Sequence, residues 1–436
     1  MIRYVRQVFA MIRDNKLFSC IYIVGTAVAI AFTMVIAIAW YVKIAPIYPE
    51  VNRMRTMYLD ACEYTDSTAL CVFWSGFSKK ALDEWGYHLE NAEVTCGVIR
   101  PVGYVRAEGD IHEYPVNMTY TDVGFFKIYP LRFKEGRPFT QKEFDGAVRV
   151  AVISDEQARK LYGCDEDIVG RTIFLDSDTM RIVGVVESAS ALTPRSYAQV
   201  YAPFTLCPSW EQSGRPWQGS LSMVMMMPDA GRKQALRNEI ADIARRYNLQ
   251  GGKWRLNLDG QPVGHVDNAL SETNWGKKER ETETVMDVVR KLVLMLMVLL
   301  VVPALNLSGM IARRMEVRRA EMGVRKAFGA TRAALLWQVV NENFVLTLLG
   351  GMLGLLLSWC VFYVFRTWVF GLVDSGFYYN LMETGAQAAL SGEMLFSPLI
   401  FLGALLFCMA LNLLSALVPA WLSLRMPIVN SMNVKR

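Results

Sequence analysis

Long uncharged runs alternate with mixed polar segments along the chain, and this pattern gives the first indication of its architecture. Four runs contain no charged residue over a length sufficient to cross the hydrocarbon core of a bilayer, which takes a helix of about 20 residues. Buried core helices of a soluble protein are the alternative, but four such runs are difficult to bury in one soluble domain. The uncharged runs are 17–42, 292–312, 343–365 and 394–424. They predict four transmembrane helices, at residues 17–42, 286–312, 338–365 and 394–424.

Basic residues concentrate at matching ends of these helices. Residues 1–16, the loop 313–337 and the tail 425–436 each contain more Lys and Arg than Asp and Glu. Four crossings place these three segments on one side, and basic residues flank membrane helices on the cytoplasmic side. We therefore predict cytoplasmic termini and extracytoplasmic positions for segment 43–285 and loop 366–393. The first segment has apolar residues at three- and four-residue steps, which predicts an amphipathic helix on the cytoplasmic membrane surface.

The segment 43–285 has the patterns of a soluble domain. Two β-α-β patterns lie near its ends, with predicted elements at 54–59, 79–89, 94–105, 220–227, 232–247 and 253–258. Short strands and tight turns fill 148–186, where Ser154 and Gln157 predict a capping box. The predicted fold class is an α-helical membrane protein with four transmembrane helices. Its α+β extracytoplasmic domain has two subdomains, in which a β-rich piece is inserted into the β-α-β units.

Several classes of function are excluded by what the sequence lacks. Its three histidines are far apart, and HExxH, GxSxG and GxxxxGK[ST] patterns are all missing. We therefore predict no catalytic residue, no metal site and no cofactor in this chain. The net charge of +5 follows from the basic cytoplasmic segments, and it indicates a membrane surface, not nucleic acid.

Five cysteines lie in the soluble segment, at Cys62, Cys71, Cys96, Cys164 and Cys207. Their number is odd and no CxxC spacing occurs, so neither a zinc site nor a complete disulfide framework is indicated. A Cys62–Cys71 disulfide and a set of scattered, unpaired thiols are the two alternatives.

The loop between the second and third predicted helices contains the most specific pattern in the chain. It reads RRAEMGVRKAFGATR from Arg318 to Arg332. This sequence closely resembles the R-x-x-E-I-G-I-R-K-A-L-G-A-T/S-R motif of MacB/FtsX-like ABC permeases. The segment 43–285 also resembles the periplasmic core domain of that family, with Gly136-Arg137-Pro138-Phe139 similar to its G-R-x-F turn. The resemblance extends over nearly the whole chain.

The residues of this loop predict a rigid elbow of two helices. An amphipathic helix over 315–328 would end at Gly329, and Thr331 would cap the next helix. The resemblance implies that the elbow is the coupling helix that docks into the ATPase subunit. A basic loop bound to anionic lipid is the alternative. The predicted ATPase-coupling residues are Glu316, Glu321, Gly323, Arg325, Lys326, Gly329, Thr331 and Arg332.

Small residues in the third predicted helix indicate close helix packing. Gly350 and Gly354 form a small-xxx-small pair, and Gly351 widens the same face. Such residues allow the backbones of two membrane helices to approach closely. The four uncharged runs offer no charged side chain to a polar substrate, which favours transmission of force over passage of such a substrate through the bilayer.

The resemblance implies a permease subunit in the bacterial inner membrane. It would couple ATP hydrolysis by a separate ATPase subunit to movements of the periplasmic domain, for efflux of peptides, antibiotics or other extracytoplasmic cargo. A second permease chain, identical or related, would be a partner, and a periplasmic adaptor is a further candidate. The alternatives are a lipoprotein-releasing permease and a non-transporting, FtsX-like signal transmitter that controls a wall hydrolase or a sensor.

Overall fold

The computed structural model shows a chain of two compact units. One unit contains residues 42–285, and the other contains the long apolar helices. The predicted surface helix and tail lie outside the described residues, apart from Lys16 and Arg425. The structure describes single positions between 286 and 330, together with residues 16–66, 71–176, 178–207, 217–270, 331–373 and 398–425.

The first long helix, α1, extends over Lys16–Ile44. Its segment Ser19–Ile44 is long and apolar enough to cross a membrane. The absence of charge from 17 to 42 leaves no side chain that would be costly to place in hydrocarbon. A helix is also required there, because it satisfies its own backbone hydrogen bonds. The first predicted apolar helix is therefore present.

Short strands and helices make up the described residues of the second unit. Its strands are β1 (Thr56–Leu59), β2 (Cys62–Asp66), β3 (Val72–Phe77), β4 (Val94–Ile99), β5 (Val102–Ala107), β6 (Tyr114–Thr121), β7 (Phe133–Gly136), β8 (Val150–Ser154), β9 (Thr172–Leu175), β10 (Asp178–Val186), β11 (Val200–Pro203), β12 (Gln218–Gly219), β13 (Ser222–Met226), β14 (Trp254–Asn257) and β15 (Val263–Gly264). Its helices are α2 (Lys79–Glu84), α3 (Phe125–Ile128), α4 (Gln141–Asp145), α5 (Asp155–Tyr162), α6 (Lys233–Leu249) and α7 (His265–Leu270).

The two ends of this unit come together in one sheet. Strand β1 pairs with β13 and β15, and β13 also pairs with β4, all antiparallel. The two β-α-β patterns predicted from the sequence therefore contribute to one structure. A second sheet has the order β12-β3-β2-β14. Methionine and aromatic residues fill the core between these elements, for example Met223, Met225 and Phe77, which are all fully buried.

The inserted piece closes into a six-stranded barrel. Around the barrel the pairing is β6-β5-β9-β10-β8-β11, and β11 pairs in parallel with β6 to complete the ring. Fully buried side chains on its strands include Val105, Val116, Val152, Ile173 and Val200. The element predicted at 94–105, a strand or a hairpin arm, is two strands, because Pro101 separates β4 from β5 and only β5 belongs to the barrel.

Two caps in this unit differ from the sequence prediction. Ser154 caps α5 by accepting from the N–H of Gln157, but the predicted capping box is not formed. The N–H of Ser154, which the Gln157 side chain would have to bind, already donates to the carbonyl of Gln199 at 3.0 Å. A complete capping box occurs instead at Thr140 and Glu143, at the start of α4.

Two further long helices follow, α8 (Arg332–Val373) and α9 (Pro398–Arg425). Within α8, Ala333–Gly371 is the second segment that is long and apolar enough to cross a membrane. Helix α9 contains a further apolar segment, Phe401–Ala410. The predicted helix at 286–312 falls mostly outside the described residues, although the single positions described there are helical.

The third predicted transmembrane helix lies inside a longer helix, α8. Prediction placed it at 338–365, followed by a loop from 366, whereas α8 begins at Arg332 and continues to Val373. The backbone leaves helical geometry at Phe365 (φ −113°, ψ 18°), the predicted end, but a second helical segment follows this kink to Val373, where a loop was predicted. The rest of the predicted loop, 374–393, lies outside the described residues.

Candidate functional site

The end of α1 is held by a buried arginine. Arg53 belongs to a short 3-10 helix just beyond α1, and its Nη1 donates to the carbonyls of Val42 at 2.7 Å and Ala45 at 2.6 Å. The last carbonyls of a helix lack partners within the helix, and they form the negative end of its dipole. A cation at this position therefore satisfies acceptors and stabilises the helix end.

Glu50 compensates the charge of Arg53 and extends the contact. The two side chains are almost fully buried, and Nε of Arg53 lies 2.8 Å from Oε2 of Glu50. The other carboxylate oxygen accepts from the N–H groups of Arg195 and Ser196, each at 2.9 Å. Burial alone would raise the pKa of Glu50, but Arg53 and the other partners of the carboxylate together outweigh burial, so the pKa of Glu50 lies below its usual value.

His265 binds the same helix end from a distant part of the sequence. Its Nε2 lies 3.0 Å from the carbonyl oxygen of Lys43, and its Nδ1 lies 3.1 Å from the hydroxyl of Tyr58. A carbonyl can only accept, so we assign the proton of the neutral ring to Nε2 and let Nδ1 accept from Tyr58. Burial, reinforced by the charge of Arg53, lowers the pKa of His265 to about 4.

Arg195 joins this group to the rest of the domain. Its guanidinium binds both carboxylate oxygens of Asp60, at 2.6 and 2.7 Å, and lies 4.4 Å from the ring centroid of Tyr58. Burial alone would lower the pKa of Arg195, but Asp60 outweighs burial and raises it. We call the set the helix-end cluster, which consists of Glu50, Arg53, Tyr58, Asp60, Arg195 and His265. The cluster ties the end of α1 to β1, to the segment before β11 and to the start of α7.

The elbow has the turn geometry expected from its sequence. Gly329 has a φ of +90°, the left-handed conformation that ends helices, and the N–H of Ala330 donates to the carbonyl of Arg325 at 3.0 Å. The hydroxyl of Thr331 accepts from the N–H of Ala334 at 3.2 Å, so Thr331 caps α8. Outside the described residues lie Glu316, Glu321, Gly323 and Lys326.

Arg325 of the elbow contacts the helix that follows it. The Nη1 of Arg325 donates to Oε1 of Gln338 in α8 at 2.8 Å, and Nε2 of Gln338 donates to Glu342 at 3.1 Å. Arg332 is the first residue of α8, and its side chain is not described. Glu342 is buried inside the apolar segment Ala333–Gly371, so the expectation that this predicted helix lacks an internal charge is wrong.

The three predicted packing glycines all lie at close helix contacts. A Cβ at Gly350 would stand 2.8 Å from Cβ of Thr26, and one at Gly354 would stand 2.7 Å from the carbonyl oxygen of Ala27. A Cβ at Gly351 would collide with Leu405 in α9. Glycine at these positions lets α8 approach α1 on one side and α9 on another, because any side chain would need the space of a neighbouring helix.

Two family models match this chain. The sequence model of the MacB-like periplasmic core domain matches residues 21–243, and that of the FtsX-like permease C-terminal domain matches residues 293–428. The chain belongs to the MacB/FtsX-like ABC permeases. The first match covers most of α1 and the barrel, and the second covers the elbow, α8 and α9 of this permease.

Individual relatives are distant and longer. "Macrolide export ATP-binding/permease protein MacB" of Shigella boydii serotype 4 is 25% identical over 302 residues, which cover 68% of this permease and 40% of the relative. The protein of the same name from Escherichia coli K12 is 26% identical over 240 residues, which cover 54% and 33%. The permease thus spans well under half the length of these relatives.

Solved structures with some likeness include two extracytoplasmic regions. The extracellular domain of the noncanonic ABC-type transporter YknZ from Gram-positive bacteria is 14% identical, with a TM-score of 0.34, and covers 45% of the permease and 98% of that chain. The periplasmic region of MacB from Actinobacillus actinomycetemcomitans is 14% identical, with a TM-score of 0.33, and covers 48% and 90%.

The described part of the permease contains the binding and positioning contacts given above. Within it, no group of three His, Cys, Asp or Glu residues has the geometry of a metal site. Cys62 is buried and Cys71 exposed, and both are free thiols. The sequence analysis missed the helix-end cluster. One available signal was Glu50 and Arg53, an acidic and a basic residue three apart directly after the first apolar run.

Proposed function

We propose that the permease passes movement between a cytoplasmic ATPase subunit and its own extracytoplasmic unit. The observation that most supports this proposal is the helix-end cluster. A membrane helix can move a soluble domain only if its end is held stiffly, and Arg53 and His265 bind three carbonyls at the end of α1. Buried, hydrogen-bonded ion pairs resist rearrangement because an unpaired buried charge is costly.

The proposed topology has four transmembrane helices, with the elbow and both termini in the cytosol. The basic excess of the loop 313–337 supports this orientation. We propose a complex of two permease chains and two ATPase chains in the inner membrane, in which closure of the ATPase pair displaces the elbows. A periplasmic adaptor would complete an export system.

The proposed cargo class is small molecules or peptides exported from the cell. The relatives are named for macrolide export, and this name supports efflux over the other activities considered for the family. The geometry of the permease agrees with a mechanical role, since Gly350 and Gly354 pack α8 directly against α1. A displacement of the elbow at the start of α8 would therefore reach the helix that ends in the helix-end cluster.

Replacing Phe328 by aspartate tests the elbow as the ATPase contact. The side chain of Phe328 is 88% exposed, an unusual state for a large apolar residue beside a helix end, and we expect it to insert into the ATPase subunit. Loss of a buried aromatic anchor at an interface costs about 2 kcal/mol or more, or about 30-fold in affinity. The amount of ATPase that co-purifies with tagged permease from mild detergent is the measurement.

Ile111 provides the matched control. It is also 88% exposed, but it lies in the extracytoplasmic unit. Ile111→Asp should leave ATPase recovery unchanged. Equal recovery with Phe328→Asp and with the wild type, at equal permease level, would contradict the elbow assignment.

A further inference from the structure

The guanidinium of Arg325 is engaged with its own chain. It donates to Oε1 of Gln338 at 2.8 Å, and Nε2 of Gln338 donates to Oε1 of Glu342 at 3.1 Å. Arginine can only donate and a carboxylate can only accept. The side-chain amide of Gln338 must therefore direct its oxygen toward Arg325 and its nitrogen toward Glu342. These three residues, which we call the relay, connect the elbow to the interior of α8.

Glu342, the last residue of the relay, is buried in α8. Glu342 is 4% exposed and lies inside the apolar segment Ala333–Gly371. A carboxylate in such a place is costly without partners, and an apolar residue would be easier to bury. Gln338 and Glu342 are four residues apart, on one face of the helix. Glu342 accepts the hydrogen bond from Gln338, which an apolar side chain at this position could not do.

Other residues of the elbow face away from the chain. Val324 and Phe328 are 47% and 88% exposed, and they are four residues apart in the same turn of backbone. Arg325 lies between them but is only partly exposed. The described elbow thus presents apolar side chains outward, while its cation binds inward.

We propose that Arg325 is a positioning residue that fixes the elbow to α8 through Gln338 and Glu342, in place of the ATPase contact implied by the family motif. This proposal rests on the proposed function, since the elbow is taken as the site that receives movement from the ATPase. With the relay intact, elbow and α8 move as one body. Without it, the ATPase still binds the elbow, but its movement is no longer passed to α8.

A double-mutant cycle separates positioning from contact. Arg325→Met and Gln338→Met each remove one polar group of the relay while keeping an unbranched side chain that favours helix. We expect each variant to bind the ATPase subunit as the wild type does, and to lower permease-dependent ATP hydrolysis about fivefold or more, the lower end of a typical coupling between sites. The double variant should match either single variant, because both act on one connection.

Asn341→Met is the control on the same helix, since Asn341 donates to the carbonyl of Trp337 within α8 and is outside the relay. Weaker ATPase binding with Arg325→Met but not with Gln338→Met would overturn the proposal, as would effects that multiply in the double variant. Either result would make Arg325 a direct ATPase contact.

A second measurement does not need the ATPase. A spin label at Ala327→Cys, with the exposed or partly exposed native thiols Cys20, Cys71, Cys164 and Cys360 replaced, reports the mobility of the elbow in purified permease. We expect mobility to rise in both single variants and to rise no further in the double variant. Unchanged mobility would overturn the relay even if an ATPase binds. Failure of the wild type to bind any ATPase would instead contradict the proposed function and leave the mobility result to decide on the relay.

Discussion

Replacement of Arg53 by methionine lowers the free energy of unfolding of the extracytoplasmic unit by about 3–5 kcal/mol, the usual cost of removing one partner from a buried ion pair. The loss has two sources. The carboxylate of Glu50 remains buried without its cation, and the carbonyls of Val42 and Ala45 lose their donor. Replacing Glu50 by leucine in the same chain should restore part of the loss, because it removes the unpaired charge.

Native thiols allow this free energy to be measured in the full permease. Cys62, Cys96 and Cys207 are buried in this unit, whereas Cys71 is exposed. Maleimide labelling of the three buried thiols against urea concentration, in detergent, reports opening of the unit, and Cys71 serves as the internal reference.

Arg55→Met is the matched control for Arg53→Met. Arg55 pairs with Glu93 at 3.0 Å, but both side chains are at least one-third exposed. Its replacement should cost less than about 1 kcal/mol, as for exposed ion pairs in general. Equal midpoints for the two arginine variants would show that the helix-end cluster does not hold the unit together.

His265→Gln makes the extracytoplasmic unit less sensitive to acid. In the wild type the pKa of His265 is about 4, below the value of about 6.5 in an unfolded chain. The unfolded state therefore binds a proton first as the pH falls, and stability is lost between about pH 6.5 and 4. This difference in pKa corresponds to about 3 kcal/mol at pH 4. Glutamine cannot be protonated, so the variant lacks this loss.

Asp122 opposes His265, and the comparison must allow for it. Burial raises the pKa of Asp122 to about 6 despite hydrogen bonds from the N–H of Gly97 and the hydroxyl of Tyr87. Its folded state takes up a proton before the unfolded state does, so Asp122 adds stability as the pH falls from about 6 to 4. In the wild type, the two groups therefore change the free energy of unfolding with pH in opposite directions. Only the difference in this free energy between wild type and variant isolates the effect of His265.

The difference in unfolding free energy between wild type and His265→Gln should be constant above pH 7. It should shift by about 3 kcal/mol in favour of the variant by pH 4. Tyr58→Phe is the control, because it removes a hydrogen bond to the ring but retains the histidine. Parallel curves for wild type and His265→Gln down to pH 4 would contradict the buried, neutral state of His265.

Features set by local sequence could be predicted. The uncharged run after Lys16 gave α1, and glycine and threonine at 329 and 331 gave the elbow turn and the cap of α8. The helix α6 followed from its apolar stripe, which includes the buried Leu236 and Ile240. In each case the residues that determine the element lie close together in the sequence, so the local sequence pattern was enough to predict it.

Features set by distant contacts could not be predicted. The barrel closes through pairing of β6 with β11, and the residues of neither strand indicate which strand it pairs with. The helix-end cluster joins residues from 50 to 265, and the sequence around Arg53 does not indicate which carbonyls it binds. The helical segment after Phe365 was missed because a charge, here Arg366, marks the end of an apolar run but not the end of a helix.

The central claim is that ATP-driven movement reaches the extracytoplasmic unit through the helix-end cluster. Spin labels on Cys71 of both permease chains, in the assembled complex with Cys20, Cys164 and Cys360 replaced, measure this movement directly as a change in their separation. The account predicts a different separation with and without trapped nucleotide, and loss of that difference in the Arg53→Met/Glu50→Leu chain. A separation that stays the same while ATP is hydrolysed, or that changes equally without the cluster, would contradict it.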